Sequence, residues 1–111
     1  MKDAVVILVT CSTAEEADRI AGRLVEERLA ACVNIAGRVR SLFHWKGTLE
    51  RETEFLLVIK TRRERFDAIS ARVRELHSYE TPEIIGVPIL LGCEDYLDWI
   101  FDSTAGTREG D

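Results

Sequence analysis

The chain has 111 residues, of which 46% are hydrophobic, and its formal net charge is −5 with a pI near 5.1. This length predicts a single domain over 1–111, with one modest core over about 4–102 and a flexible tail at 103–111. The acidic balance argues against nucleic acid or an anionic membrane as the main partner, because both select a basic surface.

The three cysteines, Cys11, Cys32 and Cys93, are far apart and lack the spacing of a disulfide framework or a zinc site. The apolar run at 4–9 is too short for a membrane span or for the core of a signal peptide. These features predict a cytoplasmic protein with reduced thiols and no membrane partner.

The first half of the chain predicts a strand and then a helix. Residues 5–10 are mostly β-branched, and apolar side chains occur at both odd and even positions, which is typical of a central strand buried on both faces. Thr13 and Glu16 have the spacing of a capping box, and apolar residues then recur at helical spacing. A helix is therefore expected over about 14–30.

The second half repeats this pattern. Thr61 and Glu64 have the same box spacing ahead of a second helix, which should end at His77. Its expected buried stripe is Phe66, Ile69, Val73 and Leu76. A strand over about 84–91 and a short helix over about 94–101 complete the chain.

Two long strands, over about 33–43 and 49–61, are expected between the helices, and the loop that joins them has two possible registers. A two-residue turn at 46–47 places Phe43 opposite Glu50, which mixes apolar and charged side chains. A three-residue loop places Phe43 opposite Leu49 and gives like-with-like pairs along the hairpin. We therefore predict the three-residue loop.

The element order β-α-β-β-α-β with a terminal helix predicts an α+β, ferredoxin-like sandwich, with two helices on one face of a four-stranded antiparallel sheet. Eleven strand residues span about 36 Å and a 17-residue helix about 25 Å, so the hairpin should project past the helices. Phe43, Trp45 and Leu49 lie on the projecting part. Such an exposed apolar surface usually marks an interface, so an oligomer is expected.

The segment HSYETPEI, from His77 to Ile84, places an imidazole, a phenol and two carboxylates on one short loop. Together with LAACVNI, SLFHWKG, VIKT and YLDWI in this order, it resembles the CutA divalent-cation-tolerance family over about 5–101. One departure is Ser78, because the family usually has His-Pro-Tyr where this chain has His-Ser-Tyr.

The resemblance implies a homotrimer whose sheets pack around a threefold axis, with the long hairpins reaching across neighbours. It implies a non-enzymatic role in divalent-metal tolerance, through direct copper binding or through PII-like signalling. Several family members bind copper through a cysteine at the end of the first strand and the histidine of the His-Pro-Tyr motif. The histidine corresponds to His77, but the cysteine position corresponds to Val9, so Cys11 is the nearest available thiol.

Both candidate metal ligands also have structural interpretations. Cys11 precedes the first helix, whose N-terminus can lower a thiol pKa, but no histidine is near in sequence to act as its base. His77 could instead cap the last carbonyls of the second helix.

A second candidate site combines Lys60, Tyr79, Glu80, Glu83, Trp45 and Trp99. If the third strand ends near the HSYETPEI loop, Lys60 can approach Glu83. Such a pair is either structural or part of an inter-subunit cleft that binds a small ligand, as in the trimeric PII proteins.

Two other protein classes share parts of this pattern. A small trimeric enzyme with its active site in the inter-subunit cleft is the alternative, but the chain lacks a pattern of nucleophile, base and oxyanion donors. An RNA-recognition module has the same element order but needs spaced aromatic and basic residues, where ETEFLLVIK supplies one phenylalanine and two carboxylates.

Overall fold

The computed structural model describes residues 3–105 and has the predicted ferredoxin-like arrangement. The elements are β1 (Ala4–Cys11), α1 (Ala14–Glu26), β2 (Cys32–Trp45), β3 (Thr48–Arg62), α2 (Phe66–Leu76), β4 (Ile85–Pro88) and α3 (Glu94–Ser103). The four strands form one antiparallel sheet in the order β2-β3-β1-β4. No helix within residues 3–105 is long and apolar enough to cross a membrane.

The main core lies between the sheet and the two long helices. Ile7 and Val9 of β1 and Leu57 and Ile59 of β3 are fully buried and alternate with less buried residues, as expected when one strand face is covered. The helices contribute Ala17, Ile20, Ala21, Leu24, Ile69 and Val73, with Phe66 and Leu76 packed at the margin. The predicted buried stripe of α2 is confirmed.

The opposite sheet face is apolar and incompletely covered in the single chain; we call it the open face. Val6 and Leu8 of β1 are half-buried, and they pair with Val87 and Ile85 of β4. Ile85 and Val87 are 50% and 47% exposed. A separate small cluster, formed by Ala4, Ala31 and Ile100, attaches α3 to the body of the protein.

Helix α1 ends at Glu26 and not near residue 30, because the chain turns there through a left-handed residue. Arg28 has φ 60°, its N–H donates to the Val25 carbonyl, and Leu29 N–H donates to the Leu24 carbonyl. This is the hydrogen-bond pattern of a Schellman motif. Glycine is the usual residue at the left-handed position, so an arginine there gave no stop signal in the sequence.

The capping box predicted at Thr61 is wrong. Thr61 is a buried residue of β3, and its hydroxyl donates a 2.6 Å hydrogen bond to the Leu29 carbonyl. A 3-10 turn, Arg63–Arg65, then leads into α2, whose first residue receives no side-chain cap. The Thr-x-x-Glu spacing occurred by chance in a strand whose end packs against the α1–β2 connection.

The predicted hairpin register is also wrong, because the connection is the two-residue turn. Lys46 and Gly47 both have positive φ, 52° and 81°, as a type I′ turn requires, and Phe43 lies opposite Glu50. An irregularity between Ala36 and Val39 adds one residue to β2, with Arg38 at φ 43°. This β-bulge changes the side-chain alternation between the two ends of the hairpin, so no single pairing rule describes its full length.

The C-terminal elements differ slightly from their predicted bounds. Strand β4 has only four residues and ends at Pro88, which lacks an N–H donor. Helix α3 continues to Ser103, and Thr104 is fully buried. The Arg65 guanidinium donates hydrogen bonds of 2.7 and 3.1 Å to the Thr104 carbonyl, so packed structure extends past the predicted limit at 102. The part of the predicted tail at 106–111 lies outside the described residues.

Candidate metal centre

A buried polar cluster forms where the C-terminal end of β1, the first turn of α1 and the segment after α2 meet. Glu16 is its centre and is only 4% exposed. The Thr13 hydroxyl accepts a 3.1 Å hydrogen bond from Glu16 N–H, which confirms the predicted N-cap. The Glu16 carboxylate does not complete the box. It accepts hydrogen bonds from Ser12 N–H at 3.3 Å and from Ser78 N–H at 2.6 Å.

The pKa of Glu16 reflects two opposed effects. Burial acts to raise it, but the hydrogen bonds from Ser78 and from the Ser12 amide act to lower it, and the lowering effects together prevail. The net result is a pKa below the ordinary value of 4.5, so Glu16 is a buried carboxylate near neutral pH.

His77 uses both of its ring nitrogens. Nε2 lies 2.7 Å from the Thr10 carbonyl, and Nδ1 accepts a 3.0 Å hydrogen bond from Tyr79 N–H. A carbonyl oxygen only accepts, so the proton is on Nε2 and the ring is neutral. The ring therefore ties the loop to β1, while the last carbonyl of α2, that of Leu76, is capped by Arg19. The His77 ring is predicted to cap the last carbonyls of α2, but it contacts the Thr10 carbonyl of β1 instead.

Cys11 is the last residue of β1 and is fully buried in the main core. Burial, followed by the negative charges of Glu16 and Glu54, raises its pKa to about 12. The predicted lowering by the helix N-terminus is therefore wrong. The Ser12 amide, just before α1, donates to the Glu16 carboxylate, and Cys11 is left as a protonated thiol.

The structure brings the two predicted metal ligands together and adds a third. The ligand atoms of Cys11, Glu16 and His77 all lie within 4.8 Å of one another, and Glu16 Oε2 is 3.8 Å from His77 Nδ1. Thiolate, carboxylate and imidazole together suit a borderline divalent cation such as Cu²⁺ or Zn²⁺. The donor set thus fits a metal, although Glu16 and His77 also have hydrogen-bond partners in the protein.

The remaining loop residues form an acidic region beside this cluster. The Tyr79 hydroxyl donates a 2.8 Å hydrogen bond to Glu54, which is only 5% exposed, and the Tyr79 ring centroid is 4.7 Å from that of His77. Burial, this hydrogen bond and nearby carboxylates raise the pKa of Tyr79. Burial and the charge of Glu54 raise the pKa of Glu83.

The second predicted set does not converge within one chain. Lys60 lies opposite Val6 of β1 and Cys32 of β2, and its ammonium donates a hydrogen bond to the Asn34 side chain. Its predicted approach to Glu83 is therefore wrong within a single chain. Trp45 ends β2 at the hairpin turn and is 50% exposed. Trp99 stacks on Tyr96 along α3, at 5.4 Å between ring centroids, and Glu80 is an exposed loop residue. The inter-subunit cleft stays a prediction.

Two buried carboxylates were missed as site residues. Glu16 was predicted only as a helix cap, although its spacing after Cys11 was visible. No sequence pattern indicated Ser78 or His77 as its partners, because they lie more than 60 positions away. Glu54 precedes an apolar strand segment, and no sequence pattern marked it as a site residue.

The chain matches known proteins along nearly its whole length. The family model described as CutA1 divalent ion tolerance protein matches residues 5–103. A divalent-cation tolerance protein CutA of Archaeoglobus fulgidus is 48% identical over 94 residues, covering 85% of this chain and 91% of that protein.

Two further proteins agree with this match. The Thermus thermophilus protein of the same name is 44% identical over 99 residues, covering 89% of this chain and 96% of that protein. The crystal structure of CutA1 from Oryza sativa is similar at a TM-score of 0.92 and 39% identity, covering 96% of this chain and 97% of that one. The chain belongs to the CutA1 divalent-ion-tolerance family.

Proposed function

We propose that this protein is a non-enzymatic homotrimer that contributes to divalent-metal tolerance by binding copper at Cys11, Glu16 and His77. The observation that carries the proposal is the placement of these three ligand atoms within 4.8 Å of one another. They come from three separate segments of the chain, and their donor types suit Cu²⁺.

The hydrogen bonds around His77 indicate how a metal is accommodated. Nε2–H donates to the Thr10 carbonyl, and many metal-bound histidines donate their other ring N–H to a carbonyl in the same way, so Nδ1 is the nitrogen available to a metal. Nδ1 is also the nitrogen nearer to Glu16. Binding replaces the hydrogen bond from Tyr79 N–H and removes the Cys11 proton, and both requirements weaken the site.

The same contacts argue for a non-enzymatic role. A nucleophilic cysteine requires a thiolate near neutral pH, whereas the pKa of Cys11 is raised to about 12. The neighbouring His77 has both ring nitrogens engaged and is not free to take the thiol proton.

The proposal is tested by titrating the wild-type protein with Cu²⁺ in a calorimeter, and with Co²⁺ in an absorption experiment that detects thiolate-to-metal charge transfer without oxidising the thiol. We expect one site per chain, with affinity falling as the pH drops, because the metal competes with protons for its ligands. His77→Ala and Cys11→Ser should each weaken binding about tenfold or more.

Matched controls are His44→Ala and Cys93→Ser, which remove an imidazole and a thiol from exposed positions. These variants should bind as the wild type does. If affinity is unchanged in His77→Ala and Cys11→Ser but lost in the controls, copper binds adventitiously at the surface and the proposed site is wrong.

A further inference from the structure

Two consecutive backbone amides of the loop after α2 contact the ligand atoms of the candidate metal centre. Ser78 N–H donates a 2.6 Å hydrogen bond to Glu16 Oε2, and Tyr79 N–H donates a 3.0 Å hydrogen bond to His77 Nδ1. The two acceptor atoms are 3.8 Å apart. The loop backbone therefore occupies the same carboxylate oxygen and imidazole nitrogen that the proposed site offers to a metal ion.

The second oxygen of Glu16 has a different donor. Oε1 accepts hydrogen bonds from the Ser12 N–H at 3.3 Å and from the Ser12 hydroxyl at 3.4 Å. Ser12 thus holds the carboxylate by Oε1, whereas the backbone donor on the side of His77 belongs to Ser78.

A metal ion at this site has to displace the loop backbone. Nδ1 of a neutral imidazole has one lone pair, so a metal bound there requires the Tyr79 N–H to leave. The Ser78 N–H is the preceding amide in the chain, so a movement of the Tyr79 amide also draws it away from Oε2. Metal binding therefore costs two hydrogen bonds. The bond from Ser78 is the shorter one, and its acceptor is a charged carboxylate, which makes it the stronger competitor.

We propose that Ser78 sets the metal affinity of this site, because its backbone N–H competes with the metal ion for Glu16 Oε2. The inference rests on the metal site proposed above. Ser78 is a positioning residue in this role, since it acts through Glu16 and does not itself bind the metal. It is also the position at which the chain departs from the pattern His-Pro-Tyr, and a proline has no N–H with which to compete.

Ser78→Pro removes this donor, and the backbone before it accepts a proline. His77 has φ −84° and ψ 144°, which lies in the extended region that a residue before proline adopts. Ser78 is exposed, so the proline ring does not enter the core. The matched reference is Ser78→Ala, which removes the hydroxyl, a second donor to Glu16, but keeps the N–H. A comparison of the two variants therefore isolates the backbone donor.

Absorption titration with Co²⁺ at a single pH measures the effect. Ser78→Pro should bind Co²⁺ about tenfold more tightly than Ser78→Ala, because the ion no longer displaces a hydrogen bond to a charged acceptor. Saturating Co²⁺ should also raise the urea concentration of unfolding more in Ser78→Pro than in Ser78→Ala. General damage to the loop would weaken the site, so a gain in affinity is not explained by a merely structural role of Ser78.

A backbone ester at position 78 separates the lost donor from the stiffness of the proline ring. The ester replaces the N–H of Ser78 with an oxygen atom and keeps the serine side chain. It should bind Co²⁺ about tenfold more tightly than the wild type, and it takes the place of Ser78→Pro if that variant does not fold. A gain in Ser78→Pro without a gain in the ester would assign the effect to the ring and overturn the proposal.

The outcomes distinguish the role of Ser78 from the metal site itself. If His77→Ala weakens Co²⁺ binding but Ser78→Pro binds no more tightly than Ser78→Ala, the competition by Ser78 is overturned and the metal site remains. If His77→Ala binds Co²⁺ as the wild type does, the metal site and the role of Ser78 are both overturned.

Discussion

At the scale of single residues, hydrogen bonds decide which chemistry the buried cluster can support. The sequence did not indicate the hydrogen-bond partners of Glu16 and His77, or the carboxylate charges that act on Cys11. The backbone N–H groups of Ser12 and Ser78 stabilise the Glu16 charge. That charge in turn helps to keep Cys11 protonated. The proposed metal site and the protonated thiol therefore both depend on the same carboxylate.

Glu16 should make stability depend on pH. Its pKa is lower in the folded protein than the ordinary value of 4.5, so its stabilising effect is fully present above about pH 4.5 and is lost as the pH falls through the folded-state pKa. Glu16→Gln should lower the free energy of unfolding by about 1–3 kcal/mol near pH 7, because a buried donor loses its charged acceptor. The difference from wild type should shrink as the pH is lowered toward 3.

Urea unfolding at a series of pH values measures this effect. The control is Glu15→Gln on the exposed side of the same helix turn, which should stay within about 0.5 kcal/mol of wild type. A difference between wild type and Glu16→Gln that stays constant from pH 7 to pH 3 would show that the carboxylate charge is not what stabilises the cluster.

At the scale of elements, local backbone geometry overrode side-chain pairing in the hairpin. Side-chain pairing alone favours the register with like-with-like pairs. Both faces of the hairpin tip are exposed in the chain, however, so mixed pairs such as Phe43 with Glu50 carry little penalty. The type I′ turn at Lys46 and Gly47 matches the twist of the two strands and sets the register.

This turn predicts an unequal response to substitution. Gly47→Ala should destabilise the protein by about 1 kcal/mol, because φ of 81° is unfavourable for a residue with a Cβ although open space surrounds the position. Lys46→Asn should be neutral or slightly stabilising, since asparagine tolerates the left-handed region. Gly37→Ala has open space and no positive φ, and should cause no loss.

Thermal unfolding of the three variants measures these effects. Equal losses in Gly47→Ala and Gly37→Ala would mean that the cost arises from the strand and not from the turn, and the two-residue connection would then not determine the register.

At the scale of the whole molecule, the described part of the chain measures 46 × 30 × 21 Å, and its long hairpin carries Leu42, Phe43, Trp45 and Leu49 at exposed positions. The open face adds Ile85 and Val87. Apolar surfaces of this extent usually mark an interface, which is the physical basis for expecting an oligomer. The resemblance to the CutA family implies that this oligomer is a trimer.

Light scattering at micromolar concentration should therefore give three times the chain mass of 12.6 kDa. Trp45→Ala should weaken the assembly by about 2 kcal/mol or more, since large aromatic residues often anchor interfaces. The surface change Arg74→Ala should leave it unaffected. A monomer mass would contradict the trimer, and equal effects of the two substitutions would contradict the contact at the hairpin tip.

Periodicity and capping signals, which depend on neighbours a few positions apart, determined the element order, the ferredoxin-like fold, the N-cap at Thr13 and the buried stripe of α2. The resemblance of five motifs to the CutA family indicated His77 and Cys11 as candidate ligands. Only the tertiary structure decided what these residues contact. The loop after α2 crosses the end of β1, which brings Glu16 to His77 and Ser78 and moves Lys60 away from Glu83. Contacts between distant segments depend on how whole elements pack, and a single sequence carries no local record of that packing.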